Sequence, residues 1–186
     1  AATVVSLDAD FLGTMPGSVA YARQFAARRH PDSTSGAEML RLYAAEPMPT
    51  VTGTMADHRL RMRASEVEGL GRALAAELGV QVSTGADAGV AGGAKEWVEL
   101  VARDLESHRG SGVVIPGQFQ TESVHALAHL MNHALGNVGR TVLYTDPLEA
   151  EPVDQGESVQ DLIDDMRDGT VDTLLILSGN PAYAAP

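Results

Sequence analysis

The chain has 186 residues with 25 acidic against 13 basic side chains, a formal charge of −12, and 44% hydrophobic but only 4% aromatic content. Such a length and hydrophobic fraction suit a single globular domain with a sizeable core, and the acidic balance argues against direct nucleic-acid binding, which needs a basic patch. The absence of cysteine excludes disulfides, iron–sulfur ligation and thiolate metal sites within these residues, and no apolar run reaches transmembrane length.

In chain order, strands alternate with helices. Val4–Leu7 reads as a strand, Ser18–Arg29 as a helix after Pro16-Gly17, and residues 30–37 as a polar loop. Met39–Ala45 is a second strand, and Pro47–Arg63 is irregular with a short strand at Leu60–Met62. Ser65 and Glu68 have capping-box spacing, and Val67, Leu70, Leu74 and Leu78 follow at helical period up to Gly79. After a Gly/Ala/Ser-rich loop, Trp97, Leu100, Val101 and Leu105 mark the next helix. Gly112–Ile115 is a short buried strand closed by Pro116-Gly117, and Thr121–Leu135 is a helix stopped by Gly136. Thr141–Thr145 reads as a strand, Val159, Leu162, Ile163 and Met166 as an amphipathic helix before Gly169, and Thr173–Leu177 as a last strand. Apart from the short segment Leu60–Met62, five buried strands separated by helices predict an α/β fold: a doubly wound, mostly parallel, Rossmann-like sheet with helices on both faces. Residues 1–186 form one such domain in this reading. Because the chain opens in a strand and stops at Pro186 directly after one, it reads as an excised piece of a longer polypeptide.

Open α/β sheets bind ligands at the carboxyl ends of their strands, so the strand-end loops are the candidate sites. Ser178-Gly179-Asn180-Pro181 follows the last strand; Gly179 permits close backbone approach and Asn180 offers a donor and an acceptor, though the run is also ordinary turn chemistry. After the first strand come Asp8 and Asp10, where a phosphate loop would want glycine and amide donors. They cap the following helix, bind a hydroxyl or cation, or mark a dead site, with capping or a dead site the favoured readings. Glu46, at the end of the second strand, is followed by Thr50, Thr52 and Asp57, and reads equally as a hydroxyl acceptor or as a solvated carboxylate. The rim formed by Asp8, Asp10 and Glu46 is expected to have no facing arginine, although bases do alternate at Arg59, Arg61 and Arg63. Glu122, His125, His129 and His133 fall within about 80° of one helix face, a weak candidate for a metal or small-molecule module on a solvent-facing side. The glycines of 85–93 lack the Gly-Lys-Ser/Thr of a P-loop, and nothing in the spacing places a serine and a histidine as a triad.

Three segments together resemble the molybdopterin oxidoreductases of the dimethyl-sulfoxide-reductase type, in order and spacing across nearly the whole chain. Ser178-Gly179-Asn180-Pro181 is similar to that family's Gly-x-Asn-Pro. Glu46-Pro47-Met48-Pro49-Thr50-Val51-Thr52-Gly53-Thr54-Met55-Ala56-Asp57 resembles its Asp-Pro-Arg-x-Thr-x-Thr-Ala-x-x-Ala-Asp stretch, and Leu135-Gly136-Asn137-Val138-Gly139 its Leu-x-Gly-Asn-x-Gly. The resemblance implies a domain that helps hold a molybdopterin guanine dinucleotide, with Asp8, Asp10, Glu46, Thr50, Thr52, Asn137, Gly179 and Asn180 as its cofactor positions, present or vestigial. The departures are Leu7-Asp8-Ala9-Asp10 at the first loop and Met48 in place of arginine. Acids gained and a base lost disfavour a pyrophosphate, and look closest to the pterin-free large iron–sulfur subunit of bacterial alternative complex III. In that reading the fragment binds no cofactor and is not itself catalytic. Iron–sulfur clusters lie elsewhere in the full-length chain. The partners are other domains of that chain and electron-transfer subunits of a membrane-associated, quinol-oxidising complex, on the periplasmic side. The alternatives are a pterin-binding domain of a true molybdoenzyme and a module using the His-lined helix.

Overall fold

The computed structural model describes residues 1–29, 39–81, 92–146 and 152–184. They divide into two compact units, Ala1–Tyr144 and Thr145–Pro186, each treated by itself. The loop read at 30–37, most of the glycine-rich loop before Trp97, and Pro186 lie outside the described residues.

The first unit is built on four parallel strands, β1 (Thr3–Leu7), β2 (Arg41–Glu46), β3 (His58–Arg61) and β4 (Gly112–Pro116), in the order β3-β2-β1-β4. β1 is flanked on both sides, with Thr3 opposite Arg41 and Gly112, and Leu7 opposite Ala45 and Pro116. Every residue of β1 is buried, as a strand covered on both faces must be, and this explains its continuous apolar run. Val5, Leu7, Tyr43, Ala45 and Val114 face the larger core, against α3 (Val67–Glu77), α4 (Gly92–Ser107) and α5 (Glu122–Ala134). Val4 and Leu42 face the smaller core with Phe11, Leu12, Leu40 and Phe25 of α1 (Ser18–Arg28). Helices therefore lie on both faces of an all-parallel sheet, an α/β Rossmann-like fold. The chain runs from β1 outward to β3 and returns to β4 on the other side of β1, so the strand order reverses between β1 and β4.

Local chemistry explains most boundaries. Gly79 and Gly136, with φ of 71° and 68°, end α3 and α5 in the left-handed conformation that glycine adopts without strain. The capping box sits two residues earlier than the Ser65/Glu68 spacing predicts. Ala64–Glu66 is a 3-10 turn whose Glu66 accepts from the Arg63 amide at 2.8 Å, and Glu68 is left to pair with Arg72 at 2.6 Å. Asp57 latches the start of β3: it accepts two bonds from Arg29, at 2.6 and 2.8 Å, and a third from the Leu42 amide.

Two expected strands are corrected. Thr141–Thr145 makes only an isolated bridge, between Val138 and Val142, because its place on the outer edge of β4 is taken by side chains. The Val114 amide donates to Asn132 Oδ1 at 3.0 Å and its carbonyl accepts from Asn132 Nδ2 at 2.8 Å, so the α5 amide imitates a neighbouring strand. Thr141 Oγ1 donates to the Gly112 carbonyl, and Pro116 has no N–H to offer. The second unit contains α6 (Gln155–Arg167), capped by Asp154 through the amides of Gly156 and Glu157, and the short α7 (Pro181–Ala184). Thr173–Leu177 is not a strand: no ladder partner is present among the described residues of that unit, and Leu175 and Leu177 are 76% and 80% exposed. The described residues thus hold four strands rather than five.

Candidate functional site

Asp8, Asp10, Glu46, Thr50 and Thr52 come together at the carboxyl ends of β1 and β2, where α2 (Val51–Thr54) begins. Asp8 follows directly on β1 with φ of 58°, a left-handed conformation unusual outside glycine, asparagine and aspartate. Its amide donates to Ala45 at 2.8 Å and its carboxylate accepts from Gln120 Nε2 at 2.7 Å, which ties the β1 end to the loop after β4 across the point of strand reversal. Gly117 donates to the Leu7 carbonyl beside it.

Asp10 braces the first loop onto α2. Its Oδ1 accepts from both the amide and the hydroxyl of Thr52, at 3.0 and 2.9 Å, and its Oδ2 from the Thr14 amide at 3.1 Å. Thr52 Oγ1 in turn accepts from the Leu12 amide. Partial burial works to raise the Asp10 pKa, but the Thr52, Thr14 and Thr50 donors prevail and hold it below the ordinary carboxylate value. Glu46 is 3% exposed and accepts from Thr50 through its hydroxyl at 2.7 Å and its amide at 3.4 Å. A Cβ at Gly53 would overlap the Glu46 carboxylate, so the glycine is what lets this acid fold back against α2. The expectation of no facing arginine is corrected: Arg59 Nε donates to Glu46 Oε1 at 2.5 Å. The β2–β3 register, with Ala44 opposite Arg59, puts that arginine on the Glu46 face of the sheet. Its charge is spent on Glu46.

At the start of α2 the amides of Thr50, Thr52 and Gly53 thus have acceptors from within the chain, in Glu46, Asp10 and the Thr50 hydroxyl. Beside them is an open crevice of about 600 Å³, lined by Asp10, Thr14, Thr50 and Thr54 and by the apolar Met48, Pro49, Val51 and Met55. This donor set does not fit a pyrophosphate. Carboxylates occupy positions where an anion would seek amides, and Arg59, the arginine that reaches Glu46, is paired with it.

Asp8 lies higher in pKa than an ordinary carboxyl, first because of burial and further because of the nearby Glu46 charge, with Gln120 partly offsetting both. Its carboxyl therefore titrates higher folded than unfolded. Ionised Asp8 opposes folding above its folded pKa, and that cost vanishes below the unfolded value. Asp8→Asn, which keeps an acceptor for Gln120 and tolerates the left-handed backbone, is expected to stabilise the chain by about 0.5 kcal/mol at pH 7 and by nothing at pH 3. The modest size reflects screening at a partly exposed group, and the pH dependence of urea midpoints checks it.

None of the first unit's remaining candidates lines this crevice. Asn137 is fully buried after α5, at the end of the sheet where β4 starts, and its Nδ2 donates to Asn132 Oδ1 at 3.0 Å. It supports the edge plug. Gly179 and Asn180 belong to the second unit: Ser178 and Gly179 have φ of 66° and 99°, and the Asn180 carbonyl accepts from Tyr183, an exposed turn into α7. Glu122, His129 and His133 are exposed and His125 is half-buried, with His129 Nδ1 2.8 Å from the Tyr144 hydroxyl. Among the described residues no group of three or more His, Cys, Asp or Glu converges as a metal site.

A second polar cluster, not signalled by any spacing, lies at the amino ends of β1 and β2. Buried Asp104 accepts from Thr3 at 3.1 Å and Arg41 at 2.7 Å, and His108 Nδ1 lies 3.1 Å from both Thr3 and Ser107 hydroxyls. Serine and carboxylate crowd the same ring nitrogen, whereas a catalytic triad uses opposite ones, so the cluster is a structural staple. Gln120 and Asn132 are likewise silent in the sequence, being single residues placed by register and helix phase. No family model matches the chain, and no curated protein sequence gives a significant match.

Proposed function

We propose that the chain is a Rossmann-like domain of an electron-transfer subunit similar to the molybdopterin oxidoreductases, and that its role is scaffolding and not cofactor binding. The observation that carries this reading is that Asp10 takes the Thr52 amide and Glu46 the Thr50 amide at the start of α2, with Arg59 committed to Glu46. The resemblance of residues 46–57, 135–139 and 178–181 supports the family; the carboxylate-filled strand ends support the pterin-free branch of it. In this reading the domain supplies a rigid α/β body against which cluster-bearing parts of a longer chain and other electron-transfer subunits of a membrane-associated, periplasm-facing complex assemble. Electrons pass through groups outside these residues.

The test is cofactor analysis of the full-length protein purified from its native source. Denaturation followed by oxidation to the fluorescent pterin, together with molybdenum and tungsten measurement, is expected to give far less than one pterin per chain. One guanine-dinucleotide pterin or more per chain overturns the scaffolding role in favour of a true molybdoenzyme domain.

A further inference from the structure

The two edges of the sheet are built differently. The β4 edge is closed by Asn132, Thr141 and Pro116, as described above. β3 has one strand neighbour, β2, and among the described residues no side chain bonds to the backbone of His58–Arg61 on its other side. A parallel edge strand left in this state presents a row of unpaired amides and carbonyls.

The side chains along this open edge carry one sign. Arg59, Arg61 and Arg63 alternate in a chain whose acids outnumber its bases 25 to 13. Arg59 is held by Glu46, and Arg61, directly across the ladder from Glu46, is exposed. Neither Arg61 nor Arg63 forms an ion pair among the described residues. A second copy of this chain adding its own β3 would bring arginine rows together, and like charges on paired strands are destabilising. The same row favours a strand that brings carboxylates. We infer that the outer edge of β3 is a docking edge for an extended, acidic segment of a partner protein, which adds as a fifth strand with alternate Asp or Glu side chains beside Arg61 and Arg63. Main-chain bonds supply affinity in this mode, and the charge row excludes self-pairing and selects the partner. The inference does not depend on whether the chain holds a pterin.

The probe is a fluorescein-labelled peptide of about eight residues alternating Glu and Val, titrated by anisotropy against the intact chain. Saturable binding is expected, weakening as salt rises from about 50 to about 300 mM. The double variant Arg61→Gln with Arg63→Gln, whose unchanged melting temperature certifies folding, should bind about tenfold more weakly. So should a peptide N-methylated at alternate residues, which keeps the charge but cannot pair as a strand. Hydrogen exchange at the amides of 58–61 should slow on peptide addition. Failure of the parent peptide to bind overturns the inference. So does equal binding by the N-methylated peptide, which would mean charge attraction without strand addition, or unchanged affinity of the arginine variant.

Discussion

Asn132→Leu is expected to destabilise the first unit by about 4 kcal/mol, the largest effect of any single substitution considered. The side chain is nearly isosteric and 3% exposed, so little packing is lost. What is lost is partnership. The Val114 amide, the Val114 carbonyl and Asn137 Nδ2 each give up their bond to Asn132, and each buried orphan costs about 1–3 kcal/mol. Asn132→Asp separates the contributions. It keeps an acceptor for the Val114 amide but sets a carboxylate oxygen against the Val114 carbonyl, so it too should destabilise at neutral pH and recover in part as the carboxyl is protonated. Urea denaturation followed by circular dichroism reads both, with an unchanged slope if the denatured state is unaffected. The leucine variant should also gain a tendency to aggregate, since its β4 edge is open to another strand. A loss below about 1 kcal/mol would mean the edge is satisfied by other groups.

Gly117→Ala is expected to cost about 3 kcal/mol. A Cβ there would overlap the carbonyl of Asp8, and the obstacle is main chain on both sides. It cannot move away as a flexible side chain could: Asp8 is pinned by its amide bond to Ala45, and Gly117 by its own bond to Leu7. The substitution must therefore separate the ends of β1 and β4, at the reversal point of the sheet. Gly71→Ala is the informative contrast. Gly71 lies within α3, and its added methyl would meet only Leu127 Cδ1 at 3.4 Å and Leu7 Cδ1 at 3.9 Å. Alanine's better helix propensity should make that change neutral or stabilising by up to about 1 kcal/mol. Equal losses at both positions would show that the Asp8–Gly117 contact has no special rigidity.

Much of the candidate site is legible in the sequence. Asp8, Asp10, Glu46, Thr50 and Thr52 were picked out because strand-end loops collect ligands, and they do converge at the ends of β1 and β2. The expected capping of the following helix is corrected: α1 has no side-chain cap, and Asp10 instead accepts from the amide and hydroxyl of Thr52 in α2, forty-two residues away. Arg59 was noticed as one of an alternating set, but its meeting with Glu46 depends on a register that pairs Ala44 with Arg59, which no local pattern encodes. Asn137 rests on motif similarity, which specifies residue type but not the end of the sheet at which it comes to lie, and Asn180 on a strand-end loop whose strand is absent from the described residues.

By itself the sequence determined the parallel α/β class, the places of β1, β2 and β4, and the buried faces of α3 and α5. These follow from burial: an element covered on two faces, or on one stripe, writes its period into the chain. The tertiary structure alone decided which acids became neighbours, which arginine answered them, and that Thr141–Thr145 would yield its place beside β4 to the amide of Asn132. Apolar content can propose a strand, but a strand exists only where backbone partners are free, and one buried side chain with two hydrogen bonds is enough to take them.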